Sequence, residues 1–476
     1  MSLIPKAFAD TLFEEETQLT RHPFAQALAA SAFLLSLSGC AGAPVKIGDN
    51  KVEKSLRDVT GLTTDDVEKA AQKTTMNLMD VYALAVKHTE TLATAVENVE
   101  QARAQNRQAI GAWLPQIQLN DSKIWQSNNY IFGGQTSSFQ PADNSLFLSG
   151  AETILSGLTQ VAAIQGAGAN IDFQNYNLQN QSRILLLNVA NAFYNVLALE
   201  ESLQALESSR DLNTKTLEVE QQWQRMGRSR TADVSNTQAQ LAQVLADLES
   251  DKNQLVQAQE ALATLANIKP DQSLASEEAY SSPAYQVEDA QAKVEQRPDV
   301  KAAKTNIDVA DAFLLQAHGA HLPSLAFQGQ YYLQKDGGSP TNDWNVQLVA
   351  SLPIFEGGQI FALEDEAASK KRQAEMQFSL IRRTAVDDIR QAFKSLVESI
   401  GETDAYQKAE QAYEQAYQDV MHDYKLNLTT NLELLQTMTA LENTKINYIK
   451  AKYQTLYDQV WLGVATAELP KIQKAD

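Results

Sequence analysis

Apolar residues along this chain keep two different periods. Val234, Leu241, Leu248, Leu255 and Leu262 recur every seven residues, with Leu245 and Leu265 at intermediate sites. That spacing draws a seam along one side of a helix, as in a coiled coil. Upstream, Leu186, Val189, Phe193 and Val196 or Leu197 keep the three-to-four spacing of a helix face. No proline lies between Pro141 and Pro270 or between Pro353 and Pro470, and proline breaks helix interiors. From Leu158 to Met226 only Gly166 and Gly168 weaken a helix. The pattern predicts helices over 158–226, 231–267, 358–423 and 430–467. The first would be about 100 Å long at a rise of about 1.5 Å per residue.

Between the helical tracts the period is two. Leu325, Phe327, Gly329, Tyr331 and Leu333 alternate with Ala326, Gln328, Gln330 and Tyr332, and Trp344, Val346, Leu348, Ala350 and Leu352 alternate with Asn345, Gln347, Val349 and Ser351. Ile117 and Leu119 alternate with Gln116, Gln118 and Asn120, and Leu146 and Leu148 belong to a further strand. Strands are therefore expected near 114–126, 144–154, 322–334 and 344–354. They form two hairpins joined through Gly133-Gly134 and through Asp336-Gly337-Gly338-Ser339-Pro340. The polar face is amide-rich rather than charged, which suits strands with lipid outside and a water-filled lumen inside. Two half-buried hairpins of a soluble α+β domain are the alternative.

The chain also repeats itself. Ala112-Trp113-Leu114-Pro115 and Ala320-His321-Leu322-Pro323 each precede a hairpin, and Leu155-Ser156-Gly157 and Phe355-Glu356-Gly357 each leave one. Thr237 and Leu241 match Thr437 and Leu441 at the same offset. Two tandem repeats follow, 76–275 and 276–470, with a short tail at 471–476. The fold class expected is mainly α with a small β part. Four strands cannot close a transmembrane barrel, since the smallest bacterial ones have about eight, and open edges are not tolerated in lipid. Helices of this length cannot form a compact core in one chain. Both arguments call for several copies around one barrel.

Composition narrows the function. The 476 residues carry 39 basic and 59 acidic side chains, a net charge of −20, against the concentrated basic surface that a nucleic-acid partner requires. The single cysteine excludes a disulfide framework. It stands in Leu37-Ser38-Gly39-Cys40, behind the 14-residue apolar run Phe24–Leu37. That run is too short for a bilayer span of roughly 20 residues and matches a secretory leader. The sequence here resembles a lipoprotein lipobox, which implies a signal peptide over 1–39, a lipid on Cys40 and a lipid-anchored segment over 40–75. Ala41, rather than Asp, favours delivery to the outer membrane. The acidic Glu14-Glu15-Glu16 ahead of Arg21 is unlike a basic leader and points to a start further in. Beyond Leu37 no transmembrane helix is expected.

No catalytic constellation, phosphate loop, dinucleotide fingerprint or nucleophile elbow is present. The histidines are His22, His88, His318, His321 and His422. His318 and His321 are spaced for a metal, yet no cysteine or acidic cluster adjoins them, so no metal or cofactor is expected.

The chain resembles the TolC family of outer-membrane efflux proteins. The residues that carry this are Leu78-Met79-Asp80-Val81-Tyr82-Ala83-Leu84-Ala85 with Leu114-Pro115, then Arg297-Pro298-Asp299-Val300-Lys301-Ala302-Ala303, then Leu352-Pro353-Ile354-Phe355-Glu356-Gly357-Gly358. The resemblance implies a homotrimer with a shared twelve-stranded barrel and a periplasmic α-helical tunnel. It implies a passive, non-enzymatic exit duct for small molecules, partnered by a periplasmic adaptor (membrane fusion) protein, an inner-membrane pump and outer-membrane lipid. The outer channel of a type I protein secretion system is the alternative, and a coiled-coil lipoprotein scaffold lies further off.

The mechanism would sit at the tips where paired helices turn. In repeat one the turn is Arg225-Met226-Gly227-Arg228-Ser229-Arg230-Thr231-Ala232-Asp233-Val234, and in repeat two it is Tyr424-Lys425-Leu426-Asn427-Leu428-Thr429-Thr430-Asn431-Leu432-Glu433-Leu434. Gly227 can supply a left-handed residue, Asn427 tolerates the same conformation, and Thr231 or Asp233 can cap the next helix. By resemblance, Asp233, Tyr424, Glu433 and Gln436 form the periplasmic gate, with Tyr424 in a hydrogen-bond lock. Gly227, Arg228, Arg230 and Asn427 would meet the adaptor. Gln436 stands where the family often has a second aspartate and Thr429 where an arginine is common. Arg228 or Arg230 can supply that missing charge from the other tip.

Overall fold

A computed structural model describes residues 57, 60–123, 131–132, 135–136, 144–276, 279–283, 286–336 and 343–467. The leader, Cys40, Gly133-Gly134, residues 337–342 and the tail 471–476 lie outside the described residues. Helices α1 (Thr64–Gln72), α2 (Leu78–His88) and α3 (Glu90–Gly111), with strand β1 (Thr75–Met76) between the first two, lead into β2 (Gln116–Lys123). The small ladder of β3 (Ile131–Phe132) with β4 (Gln135–Thr136) follows, then β5 (Asn144–Ser156) and the long helices α4 (Thr159–Arg225) and α5 (Thr231–Ala266). The second half runs through β6 (Ser273–Leu274), α6 (Val287–Gln291) and a short 3-10 turn (Val294–Gln296) to α7 (Pro298–Gly319). Strands β7 (Ser324–Asp336) and β8 (Trp344–Ser351) and helices α8 (Gln359–Lys425) and α9 (Asn431–Ala465) complete it.

The duplication is visible residue by residue. α3 and α7 have 22 residues each, and α4 and α8 have 67 each. Gly111 and Gly319 are 208 residues apart, whereas Thr159 and Gln359 are 200 apart. The first hairpin therefore carries eight residues more than the second (208 − 200). Each long helix starts through two left-handed residues, Gly157 and Leu158 or Gly357 and Gly358. A side chain on Gly157 would collide with the Gly319 carbonyl and with Leu322, so the close approach of α4 to the end of α7 requires glycine there. The leucine-proline pairs delay by two residues the strands expected after α3 and α7, which begin at Gln116 and Ser324. The Leu114 amide donates to the Gly111 carbonyl and that of Leu322 to Gly319, both at 3.1 Å, so these residues close a turn before the sheet begins.

The four-stranded sheet runs β2-β5-β7-β8, antiparallel throughout. Leu119, Leu148, Tyr331 and Trp344 stand in one cross-strand row, and Gln118, Ser149, Gln330 and Asn345 in the next. With side chains alternating between faces, the sheet has one apolar and aromatic face and one amide face. Amides bond across the polar face: Asn120 Nδ2 donates to Ser149 Oγ at 2.8 Å and Gln347 Nε2 to Gln328 Oε1 at 3.0 Å. β2 and β8 each pair on one side only, which leaves two free edges.

By length and composition α4 contains a window apolar enough to cross a membrane, 56% of it buried inside the protein. Its apolar residues, including Leu186, Val189 and Phe193, are core against neighbouring helices, and Tyr82 of α2 bonds Ser182 at 2.7 Å in the same interior. The α5 seam shifts: Val234, Leu248 and Leu262 are buried, but Val244 is buried and Leu245 exposed. The second row of the seam falls three residues after each heptad residue, as it does again at Thr237 and Ala258.

A buried guanidinium gathers four long helices. Arg297, just before α7, donates through Nη2 to Asp299 Oδ2 at 2.7 Å and through Nη1 to Asp388 Oδ2 of α8 at 2.6 Å. It also bonds the Ala465 carbonyl of α9 at 3.2 Å. Arg183 of α4 reaches Asp299 at 3.0 Å, and the Trp461 indole of α9 reaches Asp388 at 3.2 Å. Two cations and two anions balance. Burial raises the Asp299 pKa, but its bond to Arg297 and the charges of Arg183 and Arg297 outweigh that and hold it below the usual range.

Replacing Arg297 by Met leaves Asp388 without a cation and Asp299 with Arg183 alone, and is expected to cost roughly 3–5 kcal/mol, read as a lower denaturant midpoint in detergent. Because Asp299 is depressed in the folded state, its contribution exists above the ordinary aspartate value and fades as pH falls through the folded one. A midpoint equal to wild type at neutral pH contradicts this assignment.

Candidate functional site at the helical tips

Both helix pairs reverse through the same turn. In repeat one, Gly227 takes φ +71°, its amide bonds the Gln224 carbonyl at 2.9 Å, and the Arg228 amide bonds the Trp223 carbonyl at 2.8 Å. In repeat two, Asn427 takes φ +57°, its amide bonds Tyr424 at 3.1 Å, and the Leu428 amide bonds Asp423 at 2.9 Å. These bonds satisfy carbonyls that a helix end leaves open. Gly227 and Asn427 thus occupy the backbone positions that their chemistry favours.

The next helices are capped differently. The Arg230 amide donates to Asp233 Oδ2 at 3.3 Å, so Asp233 closes the start of α5 from its third position. Thr231 does not cap; its hydroxyl accepts from Gln224 Nε2 at 3.2 Å. In α9, Thr430 accepts from the Glu433 amide at 3.3 Å.

The charges sort themselves within each tip. Arg230 grips Asp233 with two bonds, Nε to Oδ2 and Nη2 to Oδ1, both 2.9 Å. This bonding holds the buried Asp233 below the usual carboxylate range. Arg228 lies over the Trp223 ring, 5.3 Å from its centre. Neither arginine reaches across to compensate repeat two, as the sequence had suggested, because each finds a partner within a few residues. Glu433 is exposed and accepts from the Thr429 hydroxyl. Gln436, three residues on, is exposed on the same side of α9.

Two contacts tie the tips together. Asn431 Nδ2, at the start of α9, donates to the Asp233 carbonyl at 3.0 Å and to Thr237 Oγ1 at 3.2 Å, all buried. Tyr424 sits against Trp223 with ring centres 5.2 Å apart, packed with Leu434, Leu435 and Met438. Within the protomer its role is ring packing rather than the hydrogen-bond lock that the resemblance implied. Sequence reasoning missed Trp223 and Asn431, whose contacts join residues about 200 positions apart. It also passed over Met226, Leu426, Leu428 and Leu432, exposed apolar residues at a turn where polar ones are usual.

The histidine pair differs from its reading too. Glu364 of α8 joins both, meeting His318 Nε2 at 3.0 Å and His321 Nε2 at 3.2 Å. The carboxylate comes from a helix 43 residues beyond His321 in the chain, which spacing could not reveal. Among the described residues no group of three or more such side chains is arranged to hold a metal.

The family model described as "Outer membrane efflux protein" matches residues 81–267 and 290–467. Outer membrane protein TolC of Escherichia coli (strain K12) is 24% identical over 440 residues, covering 88% of this chain and 87% of that protein. The outer membrane protein VceC from Vibrio cholerae has the same fold, with a TM-score of 0.72 at 19% identity over 82% of this chain and 95% of its own. The CmeC outer membrane channel of Campylobacter jejuni gives a TM-score of 0.72 at 19% identity over 85% of this chain and 88% of its own.

Replacing Asn431 by Ala removes both bonds, while the Asp233 carbonyl keeps the Thr237 hydroxyl as a donor, so the loss is about 0.5–1.5 kcal/mol. Hydrogen exchange should rise across 231–238 while the far ends of α5 and α9 keep wild-type protection. Unchanged exchange at 231–238 would remove Asn431 as the tie.

Proposed function

Since this chain belongs to the outer membrane efflux protein family, we propose that it works as the homotrimeric exit duct of a tripartite efflux system. The observation that carries this is the sheet: four strands, two free edges and one amide face, continuous with helices of 67 residues. In hydrocarbon a free edge is untenable, so β2 of one copy pairs with β8 of the next and three copies close a twelve-stranded barrel. The amide face lines the water-filled lumen and the row of Leu119, Leu148, Tyr331 and Trp344 meets lipid. The long helices extend the lumen into the periplasm, and a lipid on Cys40 anchors each chain in the outer membrane.

Transport through such a duct is passive. An inner-membrane pump drives small molecules in, and a periplasmic adaptor docks on the tips through Gly227, Arg228, Arg230 and Asn427. Asp233, Tyr424, Glu433 and Gln436 make the gate. Their roles differ: Glu433 and Gln436 are exposed, whereas Asp233 and Tyr424 are buried and hold the two helix pairs of one protomer together. Threefold symmetry turns Glu433 into a ring of three carboxylates, a site for cations at the constriction.

Single-channel recording on the detergent-extracted full chain tests this. The expected result is a trimer with long-lived pores that divalent cations block, with Glu433→Gln raising the blocking concentration severalfold. Block that is indifferent to this substitution removes Glu433 from the lining. A monomer, or an oligomer that never conducts, overturns the duct.

A further inference from the structure

The two tips share a backbone, and one buried residue breaks the likeness between them. At the offset of 200 that relates α4 to α8, Glu220 corresponds to Val420. Val420 packs on the apolar cluster around Tyr424 and Leu434. Glu220 is 0% exposed. The position is buried in repeat one and partly buried against apolar neighbours in repeat two, and nothing in the shared fold requires an acid there.

Its surroundings do not neutralise a charge. Oε2 accepts a hydrogen bond from the Ser229 hydroxyl in the turn, and Oε1 is buried without a partner. Arg230 is occupied by Asp233 and Arg228 lies over Trp223. Asp233 of α5 adds a second negative charge nearby. From α8 and α9 the titratable groups at this end are Tyr417, Asp419, His422, Asp423, Tyr424, Lys425 and Glu433, and among the bonds of the described residues none joins them to Glu220. An ionised carboxylate in this setting is costly, and water must enter to relieve it. Burial pushes the Glu220 carboxyl above its ordinary pKa; the Ser229 bond pulls it back and the Asp233 charge adds to the rise.

We propose that Glu220 is a proton-binding site that fastens the first tip. With the proton on, the buried site carries no charge and the Gly227–Arg230 turn stays packed on the end of α4. With the proton off, the carboxylate draws in water, and the turn and the Arg230–Asp233 cap loosen. Repeat two, with Val420, does not respond. A carboxyl raised in the folded state contributes fully below its ordinary value, and the contribution is lost as pH rises through the folded one. The first tip is therefore tighter in acid and looser towards alkaline pH. The inference rests on the proposed gate only for its effect on flow, and its test reads the tip directly.

Hydrogen exchange on the detergent-solubilised full chain, corrected for intrinsic rates, is measured from about pH 5 to about pH 8. Protection over 226–236 should fall severalfold with rising pH, while protection over 426–436 stays level. Glu220→Gln, a neutral isostere, should keep 226–236 protected throughout. Ser229→Ala removes the bond that favours the charged form, so the fall should move to higher pH. A wild-type tip whose protection ignores pH overturns the proposal. So does a Glu220→Gln tip that keeps the wild-type pH dependence. If Ser229→Ala lowers protection equally at every pH, the pair is structural only and the proton site is wrong. Loss of conductance with an intact pH response at 226–236 would instead count against the duct.

Discussion

A guanidinium buried among helices cannot stay unpaired, and the rest of this architecture is arranged around that constraint. Arg297 satisfies its donors on α7, α8 and α9, while Arg183 brings α4 to the same carboxylate. Four helices from both repeats are thus referred to one neutral cluster. Truncating Arg297 leaves Asp388 without a cation and truncating Asp299 leaves Arg183 without an anion, so the cluster specifies a single arrangement more strongly than greasy packing does. From it the long helices run out as rods, and their length makes their far ends sensitive to it. A small rotation at Arg297 becomes a large displacement at a tip tens of ångströms away.

Rods of this length need lateral support that one chain does not provide. The exposed faces of α8, including Phe361, Leu363, Met376 and Leu380, sit outside the core of the single copy. The free edges of β2 and β8 make the same statement in backbone terms. Side chains and backbone both leave valences that the proposed trimer fills, and in that proposal hydrocarbon enforces this most severely at the sheet. The amide face is coherent with that picture, because cross-strand amide bonds line a wet surface without placing charge there.

What the sequence made legible followed from local rules. Helix identity came from missing prolines and apolar spacing, and the left-handed Gly227 and Asn427 came from backbone chemistry that acts over three or four residues. The faces of the sheet were readable because a strand alternates strictly. Errors arose where the period was right but the phase was open, as with Leu245 against Val244. Contacts that join distant positions were not readable at all. Trp223 with Tyr424 and Asn431 with the Asp233 carbonyl depend on how the repeats lie against each other, and Glu364 with two histidines depends on how α8 lies against the end of α7. Without an alignment, nothing in local spacing marks them.

Duplication explains why those contacts take the form they do. Two copies of one turn have the same hydrogen bonds and the same left-handed residue, so any difference in behaviour has to reside in side chains. The substitutions at matched positions are complementary. Trp223 stands opposite Asp423 in the alignment of repeats, Gln224 opposite Tyr424, Arg230 opposite Thr430 and Thr231 opposite Asn431. The first tip contributes an indole, a carbonyl and an internally paired Arg230–Asp233 cap; the second contributes the phenol ring and the amide that dock on them. Identical tips would offer donor to donor and charge to charge. Divergent tips can bind each other, and a bond between tips is something that can be broken. The same reasoning applies to Glu220: an acid at a position that the other repeat fills with valine weakens the packing in one tip alone, so the two helix pairs need not let go together.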